Sequence, residues 1–432
     1  MLYRCTAVPG RGNPADGDHL GRAASRHRPR CEGTFVIAPT ARGSAGLRRL
    51  KPAVAGAVSA LCIWAVAGCT TLPRETYAAA DERDLSVAGV SGARIWADAG
   101  LPELAAAAAR QDLAPPLTTA PVDILALSGG GSGGAFGAGL LVGWTERGDR
   151  PEFDVVTGVS AGALIAPFAF LGSEYDDELA RAFSPAVTEP LNGGVTPLNL
   201  LFRNSIANNR ALRALIDDAV TPRILAEITA AHRAGRRLFV MTANLDTQRP
   251  VVWDMGAIAA AGTEPSADLF KKVLLASASI PGYYPAVRIK VQTAAGSYDE
   301  LHSDGGIFAQ VFIGPDAIML NPQLAGRGSA NLYVIINNSL DPVFSVTTDS
   351  IVGVATRSYE TFLKSHARAT INATYLFATA RKANFHLAYI DEDVPYDLRE
   401  PFAEDYIDRV YHLGHGAGQS GTWSSRPPDG EG

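Results

Sequence analysis

From residue 122 onward the chain alternates two kinds of segment. Short apolar runs rich in β-branched and aromatic residues, VDILAL (122–127), FDVVTG (153–158), RRLFVMTANL (236–245), PVVWDM (250–255), NLYVIINNS (331–339) and NFHLAYI (384–390), have the length and composition of strands. Between them, AFGAGLLVGW (135–144), AGALIAPFAFLG (161–172), two stretches within 208–235, a run around Asp268–Ser277 and a long region at about 345–382 have helical spacing. Strands separated by helices predict an α/β body with a mostly parallel sheet and helices on both faces.

Upstream the alternation is lost. Residues 70–118 read as a tether with one Ala-rich helical piece, LPELAAAAARQDL, closed by Pro115-Pro116. Before it, the cationic LRRLK (47–51) leads into fifteen apolar or small residues, Ala53–Ala67, and then Gly68-Cys69. That order describes a secretory signal. The run is short for a membrane-crossing helix, which needs about 20 residues. Val66-Ala67-Gly68-Cys69 resembles a bacterial lipoprotein lipobox, with cleavage before Cys69 and lipidation of its thiol; an ordinary signal peptide with a Cys there by chance is the alternative. Two or more acyl chains would hold the protein stably on a membrane. Thr70, in place of an Asp, favours the outer membrane by the same resemblance, so the expected location is the bacterial cell envelope, anchored and facing the periplasm. The expected organisation is a disordered or over-extended N-terminus (1–46), a signal peptide (47–68), a tether (69–118), a folded domain (119–411) and a Gly/Ser/Pro-rich disordered tail (412–432).

Charge sharpens the picture. The formal net charge of −6 hides an asymmetry: residues 1–51 hold ten Lys/Arg and three Asp/Glu, and the remainder 28 and 41. Such an acidic body has no basic stripe with which to grip nucleic acid. Cys5, Cys31 and Cys62 all precede the expected cut, so the mature chain would keep only Cys69. That excludes an internal disulfide and a cysteine metal site.

Two Gly-rich stretches carry the candidate chemistry. In GGGSGG (129–134), Gly129, Gly131 and Gly134 satisfy G-x-G-x-x-G between a strand and a helix, the setting of a dinucleotide site. The second strand has its acid at its start, Asp154, and ends in Thr157-Gly158, so the ribose partner is missing. No Gly-Lys-Ser/Thr follows, which excludes a P-loop; no nucleotide is expected. The second stretch, GVSAG (158–162), is a Gly-x-Ser-x-Gly after a strand and before a helix, the setting of a nucleophile elbow. Gly130-x-Ser132-x-Gly134 matches the same pattern. Ser160 follows an unbroken β-run, whereas three glycines precede Ser132, so Ser160 is the better nucleophile. A serine attacking an ester builds charge on the carbonyl oxygen, and backbone N–H groups of a neighbouring glycine loop can receive it.

A serine hydroxyl needs a base. His366, His386, His412 and His415 could complete a triad in the order Ser, Asp/Glu, His, though none lies in a distinctive turn. Asp304, before Gly305-Gly306, is the other candidate; an Asp-Gly turn is also ordinary turn chemistry.

Four stretches in order, GGGSGGAFGAGLLVGW (129–144), GVSAG (158–162), LLASASIPGYYP (274–285) and SDGG (303–306), resemble the patatin-like phospholipase family over roughly residues 120–410. The resemblance implies a three-layer α/β/α patatin-like fold with a mostly parallel central sheet. It implies a Ser–Asp dyad, Ser160 and Asp304, with an oxyanion hole from Gly129, Gly130, Gly131 and Ser132, and no cofactor or metal. Many members carry Arg where this chain has Gly133. The implied activity is a carboxylic ester hydrolysis of phospholipid or other acyl-ester substrates. A general carboxylesterase, or a non-catalytic envelope lipoprotein retaining the fold, are the alternatives.

Overall fold

The computed structural model describes residues 74, 77–78, 85–90, 92–111, 121–191, 207–319, 330–396 and 400–428. The expected signal peptide, Cys69 and residues 1–46 lie outside them. The strands are β1 (Ser86–Val87), β2 (Arg94–Trp96), β3 (Val122–Leu127), β4 (Val155–Val159), β5 (Arg237–Asn244), β6 (Arg249–Asp254), β7 (Val287–Thr293), β8 (Gly296–Asp304), β9 (Ala330–Ser339) and β10 (Asn384–Ile390). The longer helices are α1 (Leu101–Gln111), α2 (Gly134–Arg147), α3 (Ala161–Leu171), α4 (Arg210–Ala219), α5 (Pro222–Arg233), α6 (Glu264–Ser277), α7 (Ile351–Arg381) and α8 (Glu404–Ser420).

All ten strands join one sheet, in the order β1-β7-β8-β5-β4-β3-β9-β10, with β6 on β5 and β2 on β6. The parallel pairing expected from the alternation runs through β5, β4, β3, β9 and β10. Beyond β5 the additions are antiparallel. Alternate residues of β3 face opposite layers. Leu125 and Leu127 pack with residues of α2, α3, α5, α6 and α8, whereas Ala126 packs with Ala367, Ile371 and Ala378 of α7. Helices on both faces make the expected three-layer α/β/α body.

Three expectations need correction. The hairpin β7–β8 is absent from the pattern of apolar runs because β7 alternates strictly, burying Val287, Ile289 and Val291 between solvent-facing Arg288, Lys290 and Gln292. The tether enters the sheet: β1 pairs with β7 and β2 with β6, in strands too short to show a pattern. Finally, residues 412–420 of the expected loose tail complete α8. Their glycines permit contact with α2: a Cβ at Gly414 would lie 2.0 Å from the Phe136 carbonyl oxygen, and one at Gly418 2.2 Å from that of Leu140. Trp423 beyond the helix packs on Trp144, and Ser424 pairs with Leu387.

Candidate active site

The site forms where two strands meet head-on along one edge of β5. On that edge β4 runs parallel and ends with Val159 opposite Met241. The next β5 residue, Thr242, is opposite Asp304, the last residue of β8, which arrives from the other direction. The opposite edge of β5 is paired with β6 from Phe239 to Asn244. One strand therefore hands over to the other between consecutive β5 residues, and the residues that follow each end face one another. Ser160 Oγ donates a hydrogen bond to Asp304 Oδ2 at 2.5 Å, 144 positions apart in sequence.

Ser160 is one of the few non-glycine residues with positive φ, at 55° with ψ −122°, which is the strained turn an elbow requires. The residues two positions to either side, Gly158 and Gly162, must lack side chains. A Cβ at Gly158 would come within 2.5 Å of the Gly162 carbonyl oxygen, and one at Gly162 within 2.3 Å of that of Leu127. The SASIPG stretch (277–282), which begins at the last residue of α6, braces both halves. Ser277 Oγ accepts the Ser160 N–H at 3.0 Å and donates to the Met241 carbonyl. The Ser279 carbonyl accepts the Asp304 N–H at 3.0 Å and the Ser303 hydroxyl at 2.7 Å.

Asp304 is buried, and its other oxygen accepts the Gly306 N–H at 2.7 Å. Burial pushes its carboxyl up to about 6, against the Ser160 and Gly306 hydrogen bonds that pull it down. Behind it lies a buried network. Trp253 Nε1 donates to Thr242 Oγ1, which meets His302 Nδ1 at 3.0 Å; His302 Nε2 meets Glu300 at 3.0 Å, and Glu300 also holds Arg94 and Tyr77. The Glu300 carboxylate can only accept, so in a neutral ring Nε2 carries the proton and Nδ1 accepts from the Thr242 hydroxyl. Burial lowers the His302 pKa, in keeping with a neutral ring.

The glycine loop leaves β3 beside Ser160. Asn337 of β9 fixes it: its N–H donates to Ser128 Oγ at 2.8 Å, its side-chain amide to the Ser128 carbonyl at 2.8 Å, and its Oδ1 accepts the Gly137 N–H at 3.0 Å. The loop presses on that residue so closely that a Cβ at Gly130 or Gly133 would lie 2.2 Å from the Asn337 carbonyl oxygen. An arginine could not stand at 133 without displacing β9. The N–H of Gly129 is taken by the Gln310 carbonyl at 3.1 Å, so Gly129 is removed from the expected set of oxyanion donors. Among the described residues, the N–H groups of Gly130, Gly131 and Ser132 have no such acceptor, and neither has that of Ala161 at the start of α3.

A cavity of about 590 Å³ opens from this point. Gly131, Ser132 and Ser160 lie at its wall, and Leu164, Phe168, Leu212 and Ile224 are among the apolar side chains that line it. The four candidate histidines lie elsewhere. His386 stacks on Tyr333, His415 meets Glu146, His412 bonds the Asp408 carbonyl, and His366 adjoins Phe362. Sequence reasoning missed Ser277, Asn337 and Gln310. Gln310 also holds the Gly306 carbonyl through its side chain at 3.1 Å, which ties the glycine loop to the Asp304 turn.

Residues 125–315 match the family model described as patatin-like phospholipase. Among solved structures, the chain is similar to the crystal structure of VipD from Legionella pneumophila, with 12% sequence identity, 69% of this chain and 67% of that chain covered, and a TM-score of 0.28. No curated protein matches the chain.

Proposed function

We propose, on the premise that residues 125–315 are a patatin-like phospholipase domain, that the chain is a lipid acyl hydrolase with Ser160 as nucleophile and Asp304 as its base. The observation that carries this reading is the 2.5 Å hydrogen bond between them, beside a loop in which the N–H groups of Gly130, Gly131 and Ser132 lack acceptors among the described residues. Asp304 takes the Ser160 proton as Oγ bonds to the acyl carbon. The carbonyl oxygen becomes an oxyanion, received by the amides of Gly130 and Gly131 with Ser132 or Ala161; one such donor is worth about 3–4 kcal/mol. The intermediate collapses, the ester C–O bond breaks, and the alcohol leaves with the proton held by Asp304. Water then gives its proton to Asp304 as its oxygen bonds to the acyl carbon. Ser160 Oγ departs, recovers that proton and frees the fatty acid.

The apolar cavity favours a long acyl chain, hence a phospholipid or lysophospholipid over a soluble short-chain ester. Replacing Ser160 by Ala or Asp304 by Asn is expected to reduce hydrolysis of a p-nitrophenyl ester at least about a thousandfold each. A fluorophosphonate should label Ser160 in the native chain. Full activity in Asp304→Asn would remove the dyad, and absence of labelling would favour a non-catalytic lipoprotein. Anchoring at Cys69, facing the periplasm, remains part of the proposal on sequence grounds. Cys69→Ala should then move the protein from the membrane to the soluble fraction.

A further inference from the structure

Helix α7 is built in two unlike halves. Its buried residues, Ala367, Ile371, Thr374 and Ala378, recur at helical spacing and sit on β9 and β10, all in the second half. Up to His366 the described positions bury no side chain, and Val354, Tyr359 and Phe362 are exposed. The loop that precedes α7 exposes two more large apolar residues, Phe344 at 93% and Val346 at 85%.

This loop is fastened. Arg368 Nε donates to the Leu340 carbonyl at 2.7 Å, Lys364 Nζ to that of Asp341 at 2.7 Å, and Arg357 to that of Val343. Three basic side chains of α7 thus hold the loop backbone while Phe344 and Val346 stand exposed to solvent. The protrusion stands at the reactive end of the sheet. Asn337, which braces the glycine loop, and Asn338, whose amide reaches the Gly129 carbonyl at 3.5 Å, precede it by only a few residues. Tyr359 is held in the same neighbourhood: partial burial, and after it the field of the Asp304 carboxylate, push its phenol up to about 12.

We propose that residues 340–350 and the first half of α7 are a docking face for a lipid surface, seating the mouth of the Ser160 site on the layer that holds its substrate. The proposal rests on the hydrolase reading and names where that enzyme meets its lipid. Singly exposed apolar residues are ordinary, but five within one segment, Phe344, Val346, Val354, Tyr359 and Phe362, mark an interaction surface. Among the described residues no helix is long and apolar enough to cross a membrane, so α7 would lie on the layer rather than span it. Charge selects the lipid. Over residues 340–368 Arg357, Lys364 and Arg368 are matched by Asp341, Asp349 and Glu360, with Arg357 paired to Glu360 and Arg368 to Asp341, and beyond residue 51 the chain holds 28 basic against 41 acidic residues. An acidic body with a charge-balanced protrusion suits a zwitterionic surface entered by its aromatic residues, not an anionic one gripped by cations.

The test uses the full chain with Phe344→Trp, mixed with vesicles of phosphatidylcholine brominated on its acyl chains. The added emission should be quenched, equally so in a Ser160→Ala background. A tryptophan placed at Leu376, exposed on the other half of α7, should not be quenched. The paired change Phe344→Asp with Phe362→Asp should lower the ratio of vesicle to soluble-ester hydrolysis at least tenfold. Lack of quenching at 344, equal quenching at 376, or an unchanged ratio would overturn the docking face. So would a dimer that Phe362→Asp splits, since it would assign the face to a second copy. Quenching at 344 in a chain that hydrolyses no ester would remove the enzyme and leave the face; soluble-ester hydrolysis without quenching would do the reverse.

Discussion

Asp304, the base proposed for Ser160, lies out of water. Burial raises its carboxyl to about 6, and the hydrogen bonds from Ser160 and Gly306 limit the rise. Hydrolysis of a soluble ester should therefore climb with pH up to about 6 and level off above it, as the carboxylate forms. Stability moves the other way. With the folded pKa above the unfolded value of 3.8, the folded state holds the proton longer. This group's contribution is complete below the unfolded pKa and is lost as pH rises through about 6. Asp304→Asn does not titrate there. Its unfolding free energy relative to the native chain should rise by about 2 kcal/mol between about pH 4.5 and 8. Denaturant titrations at the two pH values measure this, and a flat difference would mean that the carboxylate is already ionised without strain.

Helices α2 and α8 touch through glycines, and α2 begins at the glycine loop, so their spacing bears on the site. A Cβ at Gly414 would meet the Phe136 carbonyl oxygen, whereas one at Gly416 would meet nothing within 4 Å. Gly414→Val should lower stability by about 1–3 kcal/mol through overpacking, and ester hydrolysis with it. Gly416→Ala, on the same helix, should be neutral or stabilising by up to about 1 kcal/mol. Thermal melts with a rate assay separate the two; equal effects would refute the close approach. This helix shows what composition conceals. HLGHGAGQS reads as loose because each glycine disfavours an isolated helix, yet in the folded chain the same glycines admit a neighbour's backbone. The central strands and most helices are legible because burial on both faces leaves apolar runs and helical periods. Ser160 is legible through its local turn. The approach of Asp304 is not, because it depends on β4 and β8 sharing one edge of β5, a register between strands far apart in sequence.

Across the whole molecule the two faces of the sheet have different tasks. One carries α7 and its apolar protrusion; on the other, α3, α4, α5 and α6 surround the cavity that starts at Ser160. A substrate ester at Ser160 would send its acyl chain among Leu164, Phe168, Leu212 and Leu215. Leu215 of α4 belongs to that wall while remaining partly exposed, so a larger side chain there can fill cavity space without rebuilding the core. Leu215→Trp should lower kcat/KM for a sixteen-carbon p-nitrophenyl ester relative to a four-carbon one by about tenfold, the equivalent of about two methylenes of lost burial. Fluorophosphonate labelling of Ser160 should persist, because the dyad and its amides lie on other elements. The ratio of the two ester rates is decisive. If long and short esters lose rate in equal measure, the acyl chain does not run between α3 and α4, and the cavity has another occupant.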